Sequence, residues 1–106
     1  MLLGSGSSAF SQDSTNTFEY NYRKGMEYYN AGDDITNSKN SYSTVELIEK
    51  ANSEYKKALP FLESAYLINP KHEKLLGALQ DVCFSLYDFE KSDKYYYELK
   101  ALKTKK

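Results

Sequence analysis

Apolar residues recur every three or four positions over most of the chain, the spacing of one face of an α-helix. Phe18, Tyr22, Gly25 and Tyr29 mark the first such run. Asn16 and Glu19 have capping-box spacing at its start. Gly32 is expected to end it, because glycine accepts the left-handed conformation just past a helix. Residues 34–43 are Asn/Ser-rich and unpatterned, and read as a loop. Ser43 with Glu46 then makes a second capping box, opening a longer helix. Its stripe runs Val45, Ile48, Tyr55, Leu59, Leu62 and Tyr66, with Ala58 and Ala65 beside it. Pro60 lies inside that helix and removes one backbone hydrogen bond, so a bend is expected there. Asn69-Pro70 turns the chain into a third helix bearing Leu75, Leu76, Leu79, Val82, Cys83 and Leu86. Asp88 is the expected N-cap of a fourth, bearing Phe89, Ser92, Tyr96, Leu99 and Leu102, with a lysine-rich end. No strand signal competes. The predicted class is all-α.

Two of these helices share a phrase. Tyr55-Lys56-Lys57-Ala58 and Phe89-Glu90-Lys91-Ser92 both read aromatic-x-Lys-small, 34 residues apart, and Leu62 and Tyr96 keep that offset. Helix–turn–helix units with this period resemble the tetratricopeptide repeat (TPR) family. Gly25-x-x-Tyr28, the turn at Gly32-Asp33, the pair Ala58 and Leu62, and Pro70 match its first unit. Leu76, Leu79, Asp88-Phe89, Ser92 and Tyr96 match the second. Asn21, Lys24, Gln80 and Cys83 depart from the family's usual residues. Gly25 and Gln80 are separated by 55 residues, not 34, so the first unit holds 21 extra residues between Asp33 and Tyr55. Part of that insertion lengthens the second helix by about 10 residues, roughly 15 Å. The resemblance implies two TPR-like pairs over 18–104 in a short right-handed α-solenoid, with an insertion at about 34–54 and an extended, Pro-kinked second helix.

Composition adds exclusions. With 106 residues the chain suits one small domain, and its net charge of −1 gives no general attraction to nucleic acid. No apolar run is long enough to span a membrane. One cysteine and one histidine supply neither an internal disulfide nor a metal cluster. Cys83 falls in a core place as a buried thiol, and His72 reads as an exposed turn residue about 16 Å from it along the helix. Asp33 and Asp34 lack the alternation of a calcium loop. No phosphate loop or nucleophile motif is present, so neither catalysis nor a cofactor is expected.

The eleven tyrosines are the compositional oddity. Tyr22, Met26 and Tyr29 share one helix face. The resemblance places that face on a concave surface, opposite Lys74, Asp81 and Phe84. These six are the candidate partner-binding residues, and the expected function is non-catalytic binding of a protein or peptide as a scaffold or adaptor. The alternatives are an assembly subunit that acts by self-association, or the terminal fragment of a longer repeat protein. Two repeats are fewer than a solenoid usually needs, so either the insertion covers one end, with the extended second helix packing on the first, or the chain forms a homo-oligomer through that extension or through the fourth helix near Tyr95 and Tyr97. Within Tyr95-Tyr96-Tyr97, the offset from Leu62 predicts that Tyr96 packs inward. Residues 1–17 read as a disordered leader. Ala9-Phe10-Ser11 before Gln12 resembles the end of a secretory signal, giving a periplasmic location as one expectation and a cytoplasmic one as the other.

Overall fold

The computed structural model describes residues 16–37 and 44–105. It is all-helical over those residues: α1 (Phe18–Thr36), α2 (Val45–Ile68), α3 (Glu73–Ser85) and α4 (Phe89–Thr104). Residues 1–15, with Ala9-Phe10-Ser11-Gln12 of the expected leader, and residues 38–43 of the expected 34–43 loop lie outside the described part, whereas 34–36 belong to α1.

Every helix starts on a side-chain cap, though not always the expected one. Thr17 accepts from the Tyr20 amide and Thr44 from the Leu47 amide, one residue after Asn16 and Ser43 in each case. His72 caps α3 through Nδ1, which accepts from the Leu75 amide at 3.2 Å. Asp88 caps α4 as expected, accepting from Lys91. α2 is continuous through Pro60.

Gly32 does not end α1, which continues to Thr36. It serves instead as a contact surface. A methyl group at Gly32 would lie 2.7 Å from the Tyr55 ring and 3.0 Å from the Ala51 carbonyl oxygen. One at Gly25 would lie 2.5 Å from Leu62 Cδ2. These two glycines, with buried Asn21, form the face of α1 that meets Ala51, Tyr55, Ala58, Leu62 and Ala65 on α2. Gly25 pairs with Leu62 and Gly32 with Tyr55, so the helices run antiparallel at close range.

α3 and α4 form a second antiparallel pair. The Ser92 hydroxyl donates to the Gln80 carbonyl at 3.0 Å, and Phe84 meets Phe89 edge-on at 5.3 Å. Leu75, Leu76, Leu79, Val82 and Cys83 are fully buried, and burial pushes the Cys83 thiol up to about 11. The turn between the helices closes through Tyr87 N–H to the Phe84 carbonyl and Asp88 N–H to the Cys83 carbonyl. Those two bonds make a Schellman motif with Tyr87 at the left-handed position, φ 67°.

The two hairpins stack. α2 reaches α3 through Asn52, whose amide donates to the Ser85 carbonyl at 3.3 Å while the Ser85 hydroxyl donates back to Oδ1 at 2.5 Å. It reaches α4 through Glu63–Lys91 at 3.1 Å and through Tyr66, whose hydroxyl donates to Glu98 at 2.8 Å. Both α4 contacts advance in the same direction along the two helices, so α2 and α4 run parallel.

Two expectations about the core fail. Tyr95, not Tyr96, packs inward: Tyr95 is 3% exposed and meets Tyr66 edge-on, while Tyr96 is 42% exposed. Val45 is 72% exposed and Ile48 also lies open, so the apolar stripe of α2 becomes core only from Ala51 onward. Among the described residues, nothing packs deeply against that first turn and a half.

Candidate functional site

α1 and α3 lie alongside each other, and aromatic and polar contacts link them at two levels. At the lower level Tyr22 stacks on Phe18, centroids 5.4 Å apart, and its ring leans on His72 at 4.8 Å. Phe18 also touches His72, at 5.1 Å. The imidazole is therefore held between the first turn of α1 and its own capping bond, half-buried and not the exposed turn residue expected of it. At the upper level the Tyr29 hydroxyl donates to Asp81 Oδ2 at 2.6 Å, while its ring leans on Tyr55 at 5.9 Å. Burial, and then the bond to Asp81, hold the Tyr29 phenol well above its ordinary value, so it remains a donor to the carboxylate. Burial likewise raises Tyr55.

Both contacts rise together along the chain, from Tyr22 and His72 to Tyr29 and Asp81. The helices are therefore parallel here. Met26 sits on α1 between the two tyrosines and is half-buried. Lys74 precedes Asp81 by seven residues, two turns down the same side of α3, and is exposed. Tyr22, Met26, Tyr29, Lys74 and Asp81 thus line one surface of mixed character, with apolar walls and one charge of each sign.

Phe84 goes elsewhere. It is 63% exposed and belongs to a ring cluster at the α3–α4 corner, edge-on to Phe89, which is in turn edge-on to Tyr87 at 6.1 Å. No direct contact joins it to the α1 tyrosines among the described residues. Sequence reasoning missed His72 as a cap and aromatic partner, and missed Asn52 and Ser85 as a link between hairpins. Histidine is outside the usual capping set, and a polar pair 33 residues apart leaves no periodic signal.

The surface brings together aromatic rings, one thioether, one ammonium group and one carboxylate. Among the described residues, no three His, Cys, Asp or Glu side chains converge as a metal site, and no helix is long and apolar enough to cross a membrane. No family model, curated protein or solved structure matches the chain.

Proposed function

We propose that this chain is a non-catalytic binding module of the TPR type, its two hairpins forming a short right-handed solenoid with α2 bent at Pro60. The α1–α3 surface holds a protein or peptide segment with aliphatic or aromatic anchors. The observation that carries this reading is the Tyr29–Asp81 bond: it ties the two helices into one surface while Met26 and Lys74 stay accessible beside it. Tyrosines suit such a role because they offer large contact area with few rotors to immobilise. A strongly acidic ligand fits poorly, since Lys74 is opposed by Asp81 on the same side of α3. Apolar anchors with a single charge of either sign fit better.

The test is selection of displayed peptides on the full chain, followed by affinity measurement. Met26→Gln with Lys74→Glu should weaken the selected peptide at least tenfold, about 1.4 kcal/mol, with helicity unchanged. A peptide that binds the double variant as tightly as the parent would place recognition elsewhere and end this reading. Export is a separate proposal resting on Ala9-Phe10-Ser11-Gln12. It predicts that the mature protein, expressed from its true upstream start, begins at Gln12, and N-terminal sequencing of that product that finds residues 1–11 retained would overturn it.

A further inference from the structure

The outward side of α4 carries a pattern that no contact within the described residues uses. Tyr96 and Tyr97 are both exposed and touch each other edge-on at 5.1 Å. Glu90 and Asp93 precede them, Lys100 and Lys103 follow, and all four are exposed. None of these four forms an ion pair among the described residues. The flanking lysines are different. Lys91 already pairs with Glu63, and Lys94 lies over the rings of Tyr66 and Tyr95. The unused charges are arranged symmetrically. Asp93 and Lys100 stand equally far from the midpoint of Tyr96 and Tyr97, and so do Glu90 and Lys103.

We propose that α4 is a self-association surface, and that its occupant is α4 of a second copy of this chain, antiparallel across a two-fold axis between Tyr96 and Tyr97. In that arrangement Tyr96 meets the partner's Tyr97, Asp93 faces the partner's Lys100, and Glu90 faces the partner's Lys103. Each contact occurs twice, as an isologous interface requires. A parallel pairing would set like charge against like, so the sequence selects the antiparallel one. Asp93, Tyr96, Lys100 and Lys103 follow one another at intervals of three and four, and therefore share a side of the helix. Beside Tyr96, a cleft of about 360 Å³ lined by Gln80, Leu99 and Lys100 gives an incoming aromatic ring a seat against α3. The contact spans one helix of 16 residues, about 24 Å, which is small for a stable dimer. The dimer is therefore a weak one that forms with rising concentration. It leaves the α1–α3 surface open, so it stands independently of the binding reading above.

Sedimentation equilibrium of the full chain, from low micromolar to near-millimolar concentration, tests this. The parent should dimerise and lose affinity as salt screens the four charge pairs. Asp93→Lys and Lys100→Asp, each confirmed as folded by circular dichroism, should each weaken the dimer about tenfold, because every reversal acts at two symmetric places. Mixing the two variants should restore association as a heterodimer, and the double variant should restore the homodimer. A parent that stays monomeric throughout would overturn the proposal. So would a dimer that tolerates both reversals, or one lost instead on Phe84→Ser with Phe89→Ser, which would move the interface to the α3–α4 corner.

Discussion

The α1–α2 and α3–α4 hairpins share one topology but are held together by opposite means. α1 buries Asn21, Gly25 and Gly32 and not one aliphatic side chain, whereas α3 buries Leu75, Leu76, Ala78, Leu79, Val82 and Cys83. In the first hairpin the backbone itself comes close, and the large groups, Leu62 and Tyr55, belong to α2. In the second, side chains fill the space, and Gly77 stands in ordinary contact, with a methyl group there 4.0 Å from Leu99. One hairpin is limited by added volume and the other by removed volume.

That contrast can be broken by substitution. Leu79→Ala should cost about 2–5 kcal/mol in chemical unfolding, because a fully buried leucine leaves a cavity its neighbours only partly fill. A loss well under 1 kcal/mol would show that the second hairpin is not packed as described. Gly32→Ala should destabilise although alanine favours helix by about 1 kcal/mol, since overpacking of about 1–3 kcal/mol opposes it against the Tyr55 ring and the Ala51 carbonyl. Gly77→Ala should have the other sign, a gain approaching 1 kcal/mol from helix preference alone. If Gly32→Ala and Gly77→Ala moved the melting temperature in the same direction, the asymmetry between hairpins would be gone. Smallest is Tyr87→Gly, with a gain of about 0.5 kcal/mol. It relieves a left-handed tyrosine at some cost in unfolded-chain entropy and gives up one edge-on contact with Phe89 from a ring that is otherwise exposed.

The same contrast explains what could be read from the sequence. The four helices, the α3 core and the Asp88 cap were legible because aliphatic spacing reports side-chain packing directly. Gly32 is ambiguous in the sequence because glycine signals both a helix end and a close helix contact, and only the position of Tyr55 decides between them. The N-caps slipped by one because Asn16-Thr17 and Ser43-Thr44 each offer two competent residues in a row. The 34-residue offset from Leu62 points to Tyr96 as the inward residue. Ser92 keeps the place of Ala58, but the buried large residue follows three positions later, not four, and burial falls to Tyr95. Of the candidate site, the Tyr22–Met26–Tyr29 face was legible from helical spacing. Its link to Asp81 follows only from the family resemblance, and so does the grouping of Phe84 with it. The periodicity of α3 could not show that Phe84 turns toward Phe89, because that depends on how α4 returns.

The aromatic pair of the first hairpin, Tyr29 with Tyr55, has a second edition. Moved along the chain by the same offsets that separate the helices, it becomes Phe84 with Phe89, again in ring contact. The first copy is roofed by α3, whose Asp81 accepts from the Tyr29 hydroxyl, while the second lacks the hydroxyl and is exposed at the α3–α4 corner. One ring pair thus serves as a tie to a neighbouring helix in the first hairpin and as an open corner in the second.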